Sequence, residues 1–79
     1  MSKLPRVSGK EVIRRLKKLG FEVFDQSGSH VYLHKWDQRQ SIWTQRVTVP
    51  VHGHKTLKLG TLKSALKQAD VNVEEFAKL

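Results

Sequence analysis

Four histidines and no cysteine make up the side chains of this 79-residue sequence best suited to moving protons or holding metals: His30, His34, His52 and His54. His30 has the most telling flanks. It follows Gly28-Ser29, a turn pair, and opens the β-rich run Val31-Tyr32-Leu33-His34. A loop–strand junction of that kind lets a sheet aim an imidazole while solvent or substrate still reaches it. Imidazole can take a proton from one oxygen and return it to another, which is the requirement for cleaving a phosphodiester through its own 2'-hydroxyl. RNA brings the nucleophile, so a protein needs little beyond a proton shuttle and positive charge for the crowded phosphate. Read from the residues alone, His30 also fits an ordinary strand residue facing water, and both readings stay open.

The other histidines are less constrained. His34 lies on the same strand face, about 7 Å along from His30, as a partner acid or base or as a surface residue. His52-Gly53-His54 sets two imidazoles one residue apart, but no cysteine and no carboxylate at ligand spacing supports zinc, so a turn that happens to contain two histidines is the better description, its functional reading being an approach to RNA phosphate with Lys55 beside it.

Charge points to the partner. Fifteen Lys and Arg against seven Asp and Glu give +8; residues 1–69 hold fourteen bases and four acids, whereas the last ten hold Asp70, Glu74 and Glu75 against Lys78. A polyanion suits the first 69 residues, although basic proteins also use such charge for solubility. The length suits one small domain with a thin core. No run reaches the ~18 apolar residues of a membrane span and the N-terminus carries no apolar secretory segment, so a cytoplasmic protein with no membrane partner is expected. Absence of cysteine suits a reducing compartment.

The elements that must hold His30 follow from local patterns. Ser8-Gly9-Lys10-Glu11 is a capping box: the Ser8 hydroxyl should accept from the Glu11 N–H while the Glu11 carboxylate reaches back to Ser8. Val12, Ile13, Leu16 and Leu19 then form the apolar arc of a helix, Lys10, Arg14 and Lys17 its basic ridge, and Gly20 its left-handed stop. The ridge is either a solvated face or a set of phosphate-positioning cations.

From Phe21 the period is two. Phe21 and Val23 oppose Glu22, Phe24 and Gln26; after the Ser27-Gly28-Ser29 turn, Val31 and Leu33 oppose His30, Tyr32 and His34. Lys35–Ser41 reads as a loop, and Ile42–Val51 as a third strand in which Val47, Val49 and Val51 alternate with Arg46, Thr48 and Pro50. Pro50, with no ladder donor, places that strand at an edge or at its end. Leu59, Leu62, Ala65, Leu66 and Ala69 form the arc of another helix, capped by Thr56 or Thr61, and Asn72 with Glu75 starts a short last helix in which Val71 staples against Phe76.

The expected fold is therefore α+β, in the order α-β-β-β-α with a short extra C-terminal helix: a three-stranded antiparallel sheet with helices on one face. Its other face should display Phe24, His30, Tyr32, His34, Arg46 and Thr48, a set of rings with a cation and a titratable group that suits nucleic acid. Trp36 and Trp43 flank the predicted loop, one to pack and either to stack on a base or a protein.

Several blocks recur in one known family. Ser8-Gly9-Lys10-Glu11, Leu16-Lys17-Lys18-Leu19-Gly20-Phe21, Gly28-Ser29-His30, Val49-Pro50-Val51-His52-Gly53 and Gly60-Thr61-Leu62-Lys63-Ser64, in that order and spacing, resemble the HicA (YcfA-like) mRNA interferase toxins. The Trp36–Gln45 segment departs from the family by its length. The resemblance implies a double-stranded-RNA-binding-like fold and a ribonuclease that acts on mRNA without a metal or other cofactor. It further implies neutralisation by a cognate HicB-type antitoxin in an oligomeric complex. The family's catalytic histidine maps onto His30. Around it, Gly28, Ser29, Arg46 and Lys55 are candidate supporting residues, and Lys10, Arg14, Lys17, Tyr32 and His52 candidate RNA contacts. A non-catalytic double-stranded RNA-binding module and a protein-interaction domain are the alternatives.

Overall fold

The structure, a computed structural model, describes residues 4–79. Helix α1 (Gly9–Lys17) leads into strands β1 (Phe21–Ser27), β2 (His30–Asp37) and β3 (Ile42–Pro50), then helices α2 (Leu59–Ala69) and α3 (Val73–Ala77). The strands form one antiparallel sheet in the order β1-β2-β3, so β3 is an edge, as Pro50 requires. The inward set Phe21, Val31, Leu33, Val47 and Val49 meets Val12 and Leu16 of α1, Leu62, Ala65, Leu66 and Ala69 of α2, and Phe76 of α3. The molecule measures 34 × 33 × 17 Å, the thickness of two layers.

Ser8 caps α1 as expected, its hydroxyl accepting from the Glu11 N–H at 3.2 Å. The return half of the capping box does not form. The Glu11 carboxylate instead takes the Arg14 guanidinium at 2.8 and 2.6 Å and Arg15 Nε at 2.7 Å. Two charged donors three and four residues along outcompete one neutral backbone N–H, and Ser8 is also bridged to Thr56. Regular α-helix stops at Lys17, earlier than Gly20, because the N–H groups of Lys18, Leu19 and Gly20 turn to the carbonyls three residues back; Gly20, at φ +95°, then redirects the chain into β1.

The predicted loop at Lys35–Ser41 is shorter than its sequence suggests. β2 continues through Asp37 because Trp36 pairs across the ladder with Trp43 and the Lys35 carbonyl accepts from the Thr44 hydroxyl at 3.1 Å. Only residues 38–41 form the connection, folded over Asp37, whose Oδ1 accepts from the N–H groups of Arg39 and Gln40 at 2.9 and 3.2 Å.

Neither threonine caps α2. Thr56 lies two residues before the cap position, opposite Ser8 in a backbone bridge, Thr61 lies inside the first turn, and Lys58 holds the cap position with no side-chain bond. Leu59 departs from the buried arc: it is 41% exposed and faces a surface hollow with Leu4, Arg6, Gly60 and Lys63. At its far end α2 closes on Asp70 in the left-handed conformation, with the Val71 N–H returning to Leu66 O at 3.0 Å. Asn72 caps α3 by accepting from the Glu75 N–H at 2.7 Å. Arg15 ties α3 to α1 through the Phe76 carbonyl at 3.2 Å, its guanidinium standing 4.9 Å from the Phe76 ring centre.

Candidate functional site

His30 is the first residue of β2 and is exposed. Its backbone is held from both sides, by Ser27 of β1 and by Pro50 of β3. The Ser27–His30 pair leaves a two-residue hairpin loop, Gly28-Ser29, whose first position needs the positive φ that glycine supplies: +57° at Gly28, as in a II′ turn. The Ser29 carbonyl accepts from the Val51 N–H at 2.7 Å, which fastens the turn to the end of β3. From beneath, α1 presses on that same corner: Gly9 is buried, and a Cβ there would overlap the Pro50 carbonyl oxygen. Sequence periodicity does not single out Gly9, yet it lets α1 seat against the strand that flanks His30.

Pro50 also borders a groove of about 380 Å³ with His52, Lys55, Thr56, Leu57, Lys58 and Thr61. Gly53 at φ +59° and the Lys55 N–H on the His52 carbonyl (3.0 Å) form its turn. His30 on the sheet, and His52, Lys55 and Lys58 in the groove, therefore meet at Pro50. Lys58 escaped the sequence reading because its place depends on where α2 starts. Lys10, beside Gly9, is exposed near this corner.

The rest of the basic ridge is not gathered there. Arg14 is engaged by Glu11, and Lys17 borders a separate hollow with Gly20, Phe21, Glu22 and Val23. That hollow lies at the start of β1, six residues or about 20 Å from the Ser27 end that pairs with His30. The two guanidiniums beside Glu11, Arg14 before Arg15, lower its carboxyl pKa from 4.5 to about 2.

Tyr32 shares the outer sheet face with His30, half-buried, with the Arg46 guanidinium 5.1 Å from its ring centre and 5.4 Å from that of Phe24. His34 is not available as a free partner for His30. It is sandwiched between Phe24 at 4.2 Å (26° between planes) and Trp43 at 3.7 Å (9°), and Trp43 meets Trp36 edge-on at 5.1 Å. Two irregularities make this row. Register shifts between Val23 and Asp25 and between Leu33 and Lys35 bring Phe24 and Trp43 to either side of His34, a convergence that strict alternation does not predict.

Among the described residues no three His, Cys, Asp or Glu side chains are grouped as metal ligands, and no helix is long and apolar enough to cross a membrane.

No curated protein matches the chain. A family model does, that of the HicA toxin of bacterial toxin–antitoxin systems, and it spans residues 9–71, from the glycine packed under Pro50 to the valine that closes α2. With the match covering most of the 79 residues, and with Gly28-Ser29-His30 and Val49-Pro50-Val51-His52-Gly53 paired side by side at one corner of the sheet, this chain belongs to the HicA toxin family.

Proposed function

We propose that this toxin is an endoribonuclease that cleaves mRNA, thereby arresting translation and growth, with His30 as its general base and a HicB-type antitoxin as its inhibitor. The observation that carries the reading is the contrast at His30: a backbone fixed by Ser27, Pro50 and the Ser29–Val51 bond, and a side chain left exposed. A proton-transfer group needs that combination of aim and access.

In this mechanism His30 removes the ribose 2'-hydroxyl proton. The 2'-oxygen attacks the adjacent phosphorus and forms a 2',3'-cyclic phosphate as the bond to the 5'-oxygen breaks, and that oxygen leaves with a proton from a general acid. Lys55 and Lys58 across Pro50 offset charge on the pentavalent phosphorus, while Lys10 and His52 hold flanking phosphates; Arg46, held over Phe24 and Tyr32, stands apart from this step. Such contacts add salt-dependent affinity without reading sequence. Gly28 and Ser29 act by fixing the turn. Arg14 and Lys17 stand outside this cluster and at most contact more distant RNA.

The test compares wild type with His30→Ala after circular dichroism has established that both are folded. Loss of a general base lowers cleavage about 10²- to 10⁴-fold, so the variant should leave mRNA intact and cells growing. A folded His30→Ala protein that cleaves and arrests growth like wild type would remove His30 from the mechanism.

A further inference from the structure

The sheet has helices on one face only, and the opposite face carries an unusual load. Phe24, Trp36 and Trp43, one on each strand, are each between 41 and 44% exposed. Apolar surface gathered in this way, in place of scattered single residues, marks an interaction site.

Three features decide what kind of partner it fits. First, the rings are already stacked on one another: both faces of His34 are covered, by Phe24 and Trp43, and Trp43 also meets Trp36 edge-on. Base stacking needs a free ring face, and this row has spent its inner faces. Second, among the described residues the cation stacked on the rings of this face is Arg46, whose guanidinium is held over Phe24 and Tyr32. Third, the carboxylates of Glu22 and Asp25 share the face, since they pair across the ladder with the outward residues His34 and Tyr32. A polyanion would meet two negative charges beside a cation already held by rings. Pre-packed Trp, Phe and Arg with a charged rim are instead the residue types that anchor protein interfaces.

We infer that the Phe24–His34–Trp43–Trp36 row is the docking surface for the antitoxin protein, whose matching surface is apolar at its centre, with a carboxylate for Arg46 and cations for Glu22 and Asp25. This inference rests on the toxin reading proposed above. A second copy of the chain is the poorer occupant. His30 lies on the same outer face, at the start of the strand that carries His34 and Trp36, so a permanent dimer through this face would close the corner that RNA must reach. A separable protein inhibitor leaves it open when absent.

Trp36 and Trp43 are the chain's two tryptophans, so the face can be watched directly. Full-length His30→Ala toxin labelled with 5-fluorotryptophan gives two 19F resonances, assigned by Trp36→Phe and Trp43→Phe. One equivalent of the unlabelled protein encoded by the adjacent reading frame should move both, whereas a single-stranded RNA should leave them in place. In the same background Trp43→Lys should weaken binding of that protein at least 30-fold. With His30 intact, Trp43→Lys should still arrest growth and escape neutralisation. Resonances that answer RNA and ignore the adjacent protein would make the row an RNA platform and overturn the assignment. So would resonances that move on self-dilution alone, or that answer nothing added. Because the titration does not read cleavage, a failure of the His30 mechanism leaves its outcome distinct.

Discussion

The two ends of the outer sheet face are held by different means. At the His30 end the backbone does the holding: a two-residue turn with φ +57° at Gly28, a 2.7 Å bond from Val51 to Ser29, and α1 seated on Pro50 through Gly9. The imidazole is left free. At the Trp36–Trp43 end the side chains hold each other, and the backbone yields to them with two register shifts and a positive φ of 41° at Gln45. Chemistry needs an unencumbered group on a rigid support, whereas recognition needs a rigid surface, and ring stacking supplies the second without the first.

That contrast can be broken from the backbone side with Gly9→Ala. The added methyl must displace the Pro50 carbonyl, a form of overpacking that costs about 1–3 kcal/mol. Urea unfolding should show the loss, and RNA cleavage by the folded fraction should fall as well, because Pro50 flanks His30. An unchanged midpoint and unchanged cleavage would mean that α1 does not set this corner.

The side-chain end should respond in the opposite sense. His34→Ala removes two stacked contacts, each worth about 0.5–1.5 kcal/mol. Stability should drop by about 1–2 kcal/mol with the cleavage rate of the folded protein unaltered; a loss of cleavage comparable to that of His30→Ala would make the two ends one site.

The smallest effect lies away from both ends. Glu11 has its pKa lowered to about 2 by Arg14 and Arg15, against 4.5 ordinarily. A lowered carboxyl pKa gives stability that is present above about 4.5 and lost as pH falls toward 2. The pair is solvent-exposed, so the contribution is small. Denaturation midpoints taken between pH 6 and pH 2.5 should fall more for wild type than for Glu11→Gln, and equal slopes would show that the guanidinium contacts carry no net stability.

What was legible in the sequence divides along the line between local and distant causes. The Ser8 and Asn72 caps, the Gly28-Ser29 turn, the alternation that buries Val31, Leu33, Val47 and Val49, and the edge position implied by Pro50 depend on residues a few positions apart, and all are present. Features set by distant partners were not legible. Thr56 does not cap α2: its backbone is bridged to Ser8, 48 positions earlier, and the helix starts beyond it at the Lys58 cap. Trp36 joins β2 because Trp43 lies opposite, and Glu11 abandons the capping box for two arginines whose side chains could have turned elsewhere. At the site, the position of His30 on the sheet was readable from its flanks. The capture of His34 by Phe24 and Trp43 was not, since it depends on bulges that no residue type announces.

One edge contact bears on a different property, the solubility of a small protein that keeps an aromatic face open. The Thr48 N–H donates to Gln68 Oε1 at 2.9 Å, and Gln45 Nε2 donates to the Ala69 carbonyl at 3.1 Å, so side-chain amides join the β3 edge to α2. A strand approaching from that side finds the Thr48 donor already satisfied. The opposite edge is guarded otherwise, by the irregularity at Phe24 and by the charges of Glu22 and Asp25. Both borders of the sheet thus resist end-to-end stacking of copies into filaments, so the chain can leave its rings exposed for a chosen partner without the sheet becoming a template for its own aggregation.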